Sequence, residues 1–171
     1  MKQNKKEQHY KSYITEVQDF PIEGISFKDI SPLLANIEAF EKCIKDMGEL
    51  VEIPDYWIGV DARGFLFASA LSIQFGGGVV MCRKKGKLPK PTANYSYQTE
   101  YSNDTLSMHF GSGTVIIVDD VLATGGTLKA TNYLAGIAGY DVVDNLVLID
   151  LLYVPRTKTF DLDVKSLIQY E

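Results

Sequence analysis

The residues best suited to chemistry stand in one segment, VIIVDDVLATGGT, which runs from Val115 to Thr127. Its first four apolar residues predict a buried strand, and the adjacent carboxylates of Asp119 and Asp120 follow them. Glycines in the next turn allow positive φ, so that consecutive amides can converge on an anion, and the dipole of a following helix favours a phosphate. The segment therefore predicts a cradle for one phosphate, formed by Ala123, Thr124, Gly125, Gly126 and Thr127.

The two carboxylates cannot face that phosphate, because like charges in contact repel by about 1 kcal/mol or more. Ionised carboxylates only accept hydrogen bonds, and ribose hydroxyls are natural donors for them. The pattern therefore predicts that Asp119 and Asp120 bind the sugar of a ribose 5-phosphate. The alternative is structural: an acidic pair at a strand end, with a threonine as a helix cap.

Two further segments carry positive charge that phosphates attract. Arg63, in GVDARGF (59–65), follows a predicted strand and can offer its guanidinium to a phosphate, although it can also be a surface helix residue. Residues 83–90, RKKGKLPK, contain five cations among eight positions and begin a long loop over about 83–103. The loop is interpreted as a mobile lid that excludes water, rather than a nucleic-acid patch, because the chain carries a net charge of -5.

Hydrophobic periodicity places these segments on elements. Strand, helix and strand alternate twice, which indicates an α/β fold with a mostly parallel, twisted sheet and helices on both faces. Ligands of such sheets bind at the carboxyl ends of the strands. The predicted elements are helix 4–18, an irregular stretch 21–34, helix 37–53, strand 56–60, a helix from 64, a strand from 79, strand 114–118, helix 127–138 and strand 142–149.

Length and composition narrow the class of protein. The 171 residues suit a single domain over 1–171, and 46% of them are hydrophobic. Neither a secretory signal nor about 18 consecutive apolar residues occurs, which favours a cytoplasmic protein without a membrane partner. Two cysteines without a C-x-x-C pair suit a reducing compartment. The acidic charge also argues against nucleic acid as a partner.

The Val115–Thr127 segment resembles the phosphoribosyl pyrophosphate (PRPP) signature of the type I phosphoribosyltransferases. From Phe20 to the C-terminal SLIQYE the chain is similar to the adenine phosphoribosyltransferases. The resemblance implies the type I fold with a small N-terminal base-binding hood, about residues 20–35. It also implies transfer of phosphoribose from PRPP to adenine, which yields AMP and pyrophosphate, and a homodimer.

The resemblance also implies roles for particular residues. Pyrophosphate would be bound by Arg63, Lys87 and an Arg83 from the partner subunit, and the Asp61–Ala62 peptide would be cis. Mg²⁺ would accompany PRPP, held mainly by the substrate without a dedicated protein site.

The motif Y-x-x-E-Y of the adenine enzymes is similar to residues 97–101, YQTEY. Glu100 would manage the purine N7 proton and act in catalysis with Asp119 and Asp120, and Tyr101 would belong to the lid. The family often has Leu in place of Thr99 and Gly in place of Ser102.

Residues 25–32, ISFKDISP, resemble the family's hood. Phe27 would stack on adenine while the main chain near Ser26 and Lys28 reads its edge, and Leu122 would also contact the base. The family more often has Arg in place of Lys28. From pattern alone, Phe27 is also compatible with a core position.

Two other functions stay open at this level. One is a phosphoribosyltransferase for another purine base, although an oxopurine would need a donor beyond the aspartates that Leu122 and Ala123 lack. The other is a non-catalytic regulator that senses PRPP, which would show a basic DNA-binding module or lack a catalytic residue.

Overall fold

The computed structural model describes residues 2–98 and 103–171. The chain divides into two compact units, Met1–Asp46 and Met47–Glu171. The expectation of a single domain stays a prediction.

The first unit contains a small antiparallel pair of strands in which Thr15 lies opposite Asp29. The helix predicted over 4–18 ends early, because β-branched residues favour the strand that follows it. The stretch 21–34, predicted to be irregular, holds a strand and a short helix, both too short to show periodicity. The elements are α1 (Lys2–Lys11), β1 (Thr15–Val17), β2 (Phe27–Asp29), α2 (Ser31–Ala35) and α3 (Ile37–Gly48).

The second unit contains the main sheet. Its elements are β3 (Tyr56–Val60), α4 (Gly64–Phe75), β4 (Gly78–Lys84), β5 (Ala93–Gln98), β6 (Asn103–Met108), β7 (Thr114–Leu122), α5 (Gly126–Ala138), β8 (Asp141–Leu151) and β9 (Lys165–Tyr170). Across the described residues the strand order is β5-β6-β4-β3-β7-β8-β9. β4, β3, β7, β8 and β9 run parallel, whereas β6 pairs antiparallel with β4, and β5 pairs antiparallel with β6. The predicted α/β fold with a mostly parallel sheet is confirmed.

Helices α4 and α5 cover opposite faces of the sheet. Ile58 and Val60 on β3 belong to the same buried cluster as Leu134 on α5. Gly59 points the other way, since a Cβ there would lie 2.9 Å from the ring of Phe65 on α4. Alternation along the strand therefore divides the core into two layers, and each fully buried Ile or Val contributes about 1.5–3 kcal/mol.

The lid segment contains more regular structure than predicted. β4 extends to Lys84, residues 85–92 form the connection, and β5 then pairs with β6 in an antiparallel ladder. The prediction of a long loop over 83–103 is therefore wrong at residues 83–84 and 93–98, which belong to β4 and β5. Polar residues that alternate with tyrosines hid the strand over 93–98. The mobility of the lid stays a prediction.

Over residues 2–98 and 103–171, none of the helices has the length and apolar character needed to cross a membrane.

Candidate active site

Three parallel strands bring their carboxyl ends to one edge of the sheet. Gly59 on β3 lies opposite Val118 on β7, and Val60 lies opposite Cys82 on β4. The turn after β3 packs directly on β7, because a Cβ on Gly64 would lie only 2.6 Å from the carbonyl oxygen of Val118. A residue without a side chain at position 64 therefore allows the two predicted site segments to meet.

The turn between β7 and α5 is an open cradle. Gly125 adopts φ 84° and ψ −2°, a left-handed conformation that L side chains rarely take. A cavity of about 110 Å³ adjoins the turn and is lined by Asp119, residues 121–128 and Val147. A single water needs only about 10–15 Å³ of such cavity volume, so the cavity has room for an anion. All five residues predicted for the phosphate cradle line it.

The acidic pair lies near the C-terminal end of β7 and not after it, because the strand extends to Leu122. Asp120 is only 4% exposed, and its Oδ2 lies 2.8 Å from Nε of Arg63. The two groups form an ion pair, and within the described part of the chain Oδ2 accepts no hydrogen bond. Asp119 lines the cavity, and its Oδ1 accepts a hydrogen bond from the Asp120 amide at 2.9 Å.

Burial raises the pKa of both carboxyls. For Asp119 the loss of solvation is the largest cause, and the neighbouring charge of Asp120 raises the pKa further, well above its ordinary value. For Asp120 burial again dominates, and the guanidinium of Arg63 opposes part of the rise. Burial therefore disfavours the charged form of both carboxyls, which costs stability in the free protein when they are ionised.

That cost predicts a pH-dependent effect of Asp119→Asn. The pKa of Asp119 is raised in the folded protein. Its contribution to the free energy of unfolding is therefore fully present below the ordinary pKa of 3.8 and is lost as pH rises through the raised pKa. We expect the variant to have a larger free energy of unfolding in urea than the wild type at neutral pH, and a similar one near about pH 4. Asp161→Asn, at a side chain that is 78% exposed, is the control without this effect. A variant less stable than the wild type at neutral pH would contradict the interpretation.

The cationic residues predicted to bind pyrophosphate lie at or near this edge. The Asp61–Ala62 peptide is cis, as the resemblance implied. Arg63 has a side chain that is 40% exposed. Nε of Arg83 lies 3.3 Å from Oδ2 of Asp61, and its Nη1 donates to the carbonyl of Lys87 at 3.3 Å. Arg63 thus contacts the acidic pair, whereas Arg83 of this chain contacts the turn after β3.

The remaining predicted site residues are those of the lid and those for adenine binding. Glu100 and Tyr101 lie outside the described residues. Leu122 is buried and lines the cavity. The hood residues belong to the first unit, in which the rings of Phe27 and Phe20 meet edge-on at 5.1 Å. Their predicted contact with adenine stays a prediction.

The side chain of Lys28 is buried and paired, which agrees with a role for its main chain alone. Its side chain is 3% exposed, and its ammonium lies 2.8 Å from a carboxylate oxygen of Glu16 and 3.3 Å from Oγ of Ser26. The side chain is thereby held within the first unit. A lysine in place of the more frequent arginine is therefore compatible with base reading by backbone groups.

Sequence reasoning missed two contacts to the cradle. The guanidinium of Arg156 donates to the carbonyl oxygens of Leu122 and Ala123 from behind the turn. The hydroxyl of Tyr97 on β5 lies 3.2 Å from Oγ1 of Thr127. This contact joins the β5–β6 ladder to the start of α5. A lone arginine 33 positions beyond the turn carries no local motif, so no sequence signal identified it.

Comparison with known proteins agrees with this geometry. The phosphoribosyl transferase domain family matches residues 26–155, which include the cradle, the acidic pair and the turn after β3. The chain belongs to the phosphoribosyltransferase family.

Several relatives of this phosphoribosyltransferase are named adenine phosphoribosyltransferases. The adenine phosphoribosyltransferase of Bdellovibrio bacteriovorus is 43% identical over 162 residues, which cover 94% of this chain and 98% of that protein. The crystal structure of adenine phosphoribosyltransferase from Thermoanaerobacter pseudethanolicus superposes with a TM-score of 0.89 at 39% identity, covering 95% and 99% of the two chains. The enzyme of Saccharomyces cerevisiae, solved with an imino-altritol bisphosphate and adenine, has a TM-score of 0.87 at 31% identity, covering 96% and 99%. This phosphoribosyltransferase therefore shares both sequence and fold with adenine enzymes over almost its whole length.

Proposed function

We propose that this phosphoribosyltransferase transfers the 5-phosphoribosyl group of PRPP to N9 of adenine, yielding AMP and pyrophosphate. The observation that carries the proposal is the open cradle of residues 123–127 beside the half-buried carboxylate of Asp119 and the buried one of Asp120. A phosphate cradle and hydroxyl acceptors at one strand end match the 5-phosphate and the hydroxyls of one ribose. The names of the relatives favour adenine as the base.

The reaction requires displacement at C1′ of the sugar. N9 of adenine forms a bond to C1′ as the bond from C1′ to the pyrophosphate oxygen breaks, and that electron pair leaves with pyrophosphate. Positive charge develops on the sugar as in glycoside chemistry. Asp119 and Asp120 hold the ribose hydroxyls and stabilise that charge, while the cradle fixes the 5-phosphate. Most of the rate then comes from positioning and electrostatics.

The leaving pyrophosphate needs positive partners, and Arg63, Lys87 and Arg83 are the proposed ones. Arg63 contacts Asp120 in the free protein, and a second anion would share its guanidinium. Mg²⁺ would be held mainly by substrate phosphate oxygens and waters, without a dedicated protein site. Mg²⁺ bound with PRPP would neutralise charge on the leaving group.

The base is proposed to be bound by the hood. Phe27 stacks on adenine, the main chain near Ser26 and Lys28 reads its edge, and Leu122 supplies an apolar contact. Glu100 accepts or returns the proton at N7, and the lid that includes Tyr101 closes over the reactants. A desolvated carboxylate is suited to this role.

The resemblance also supports a homodimer in the cytoplasm, in which Arg83 of the partner subunit completes the pyrophosphate site. In this proposal residues 1–171 act as one phosphoribosyltransferase domain, without nucleic acid or a membrane.

The test is a spectrophotometric assay of the purified chain with PRPP, Mg²⁺ and adenine, hypoxanthine or guanine. We expect AMP formation from adenine, with kcat/KM lower by about a hundredfold or more for the oxopurines. Product identity is checked by chromatography against AMP and pyrophosphate. Activity confined to hypoxanthine or guanine would reject adenine as the base, and absence of transfer to all three bases would reject the proposed function.

A further inference from the structure

A segment remote in sequence lies behind the phosphate cradle. Arg156 Nη1 donates to the carbonyl oxygen of Ala123 and lies 3.4 Å from that of Leu122. The next residue, Thr157, donates its amide to the carbonyl oxygen of Thr124 at 2.9 Å. Three successive carbonyls of the turn are therefore bound from one side.

The direction of those carbonyls determines the direction of the amides. In a planar trans peptide the C=O and the following N–H point in opposite directions. With the oxygens of residues 122, 123 and 124 turned to the segment, the N–H groups of Ala123, Thr124 and Gly125 point away from it. Residues 121–128 line the cavity, whereas Arg156 and Thr157 do not line it. The geometry thus aims consecutive amides at the space for an anion.

Arg156 is itself held in place by several groups. Its Nη2 donates to the carboxylate of Asp150, and its Nη1 lies 3.3 Å from the carbonyl oxygen of Leu151. Its Cζ lies 5.8 Å from the ring centroid of Phe160. That ring occupies the place that a side chain on Gly125 would need, because a Cβ there would lie 2.3 Å from it. The guanidinium therefore links the end of β8 to the turn after β7.

We propose that Arg156 is a positioning residue for the 5-phosphate of the substrate: its planar guanidinium fixes the carbonyls of the cradle so that the amides face the phosphate. The inference rests on the proposed function and adds a residue that touches neither sugar nor phosphate. A lysine cannot reproduce the fork, because its ammonium is a point charge on a flexible stem.

The test compares a ligand that has the phosphate with one that lacks it. Binding of AMP and of adenosine is measured by calorimetry for the wild type, Arg156→Gln and Lys158→Gln, a neighbouring exposed cation that serves as the matched control. We expect Arg156→Gln to weaken AMP binding by about 10- to 100-fold, and to leave adenosine binding and KM for adenine close to wild type. KM for PRPP should rise with the AMP dissociation constant. Lys158→Gln should bind both ligands as the wild type does.

Other outcomes overturn the inference. AMP binding unchanged in Arg156→Gln, or AMP and adenosine weakened equally, would assign Arg156 a purely structural role. If Arg156→Gln does not fold, Arg156→Lys decides, since it keeps a charge next to Asp150: weaker AMP binding with unchanged adenosine binding supports the proposal, and unchanged AMP binding rejects it. A wild type that forms no AMP from adenine and PRPP would reject the proposed function, a result separate from these comparisons.

Discussion

Asp120→Asn is expected to lower kcat for AMP formation by about a hundredfold or more while the protein stays folded. Oδ2 of Asp120 is buried 2.8 Å from Nε of Arg63, and we expect it to accept a ribose hydroxyl when the guanidinium turns toward the incoming pyrophosphate. An amide at this position can present a donor there and cannot stabilise positive charge on the sugar. The fold should tolerate the change because the variant removes a buried charge whose pKa is raised by burial. Stopped assays at saturating adenine and PRPP measure the effect.

The matched control is Asp141→Asn. Asp141 is exposed and begins β8, where it lies opposite Thr114 at the start of β7, far along the strand from the acidic pair. This variant should have wild-type turnover. Near-normal turnover of Asp120→Asn, with circular dichroism showing a folded protein, would remove the carboxylate from the mechanism.

Gly125→Ala is expected to lower kcat/KM for PRPP by about a hundredfold, since a displacement of about 1 Å in a positioning group has effects of this size. Gly125 has φ 84°, where an alanine costs about 1–2 kcal/mol. A Cβ would also lie 2.3 Å from the ring of Phe160. The turn must therefore shift, and its amides lose their alignment on the phosphate. Initial rates at varied PRPP and fixed adenine measure the loss.

Gly136→Ala on α5 is the control for glycine replacement. A Cβ there meets nothing within 4 Å, and alanine in a helix interior is favoured by about 1 kcal/mol, so this variant should be active and slightly more stable. Adding Phe160→Ala to Gly125→Ala removes the collision and leaves the unfavourable φ. Full recovery in the double variant would show that crowding alone caused the defect, and a fully active Gly125→Ala would contradict the role of the turn.

The strong periodic elements could be predicted from sequence because local patterns determine them. Tyr56–Val60 and Gly126–Ala138 were predicted as strand and helix within a residue or so, and Gly139 ends the latter in the left-handed conformation expected of a C-cap. The acidic pair and the glycine turn were predicted for the same reason, since their residues are adjacent in the chain. Parallel strands then necessarily bring their carboxyl ends to one edge.

The parts that were wrong depend on contacts between distant residues. β2 has only three residues, and its pairing with β1 depends on residues ten to fourteen positions away. β5 was predicted as part of a polar loop because polar residues alternate with tyrosines along it, although its ladder with β6 orders it. The contact of Arg156 with Ala123 spans 33 positions and joins a side chain to a backbone carbonyl. Carbonyls have no residue-specific signal, so such a contact is invisible in sequence.

A crystal structure of the protein with AMP tests the central claim most directly. We expect phosphate oxygens within hydrogen-bond distance of the amides of residues 123–127, with the ribose hydroxyls on the carboxylates of Asp119 and Asp120. A phosphate bound away from this turn, or ribose hydroxyls without contact to either aspartate, would contradict it.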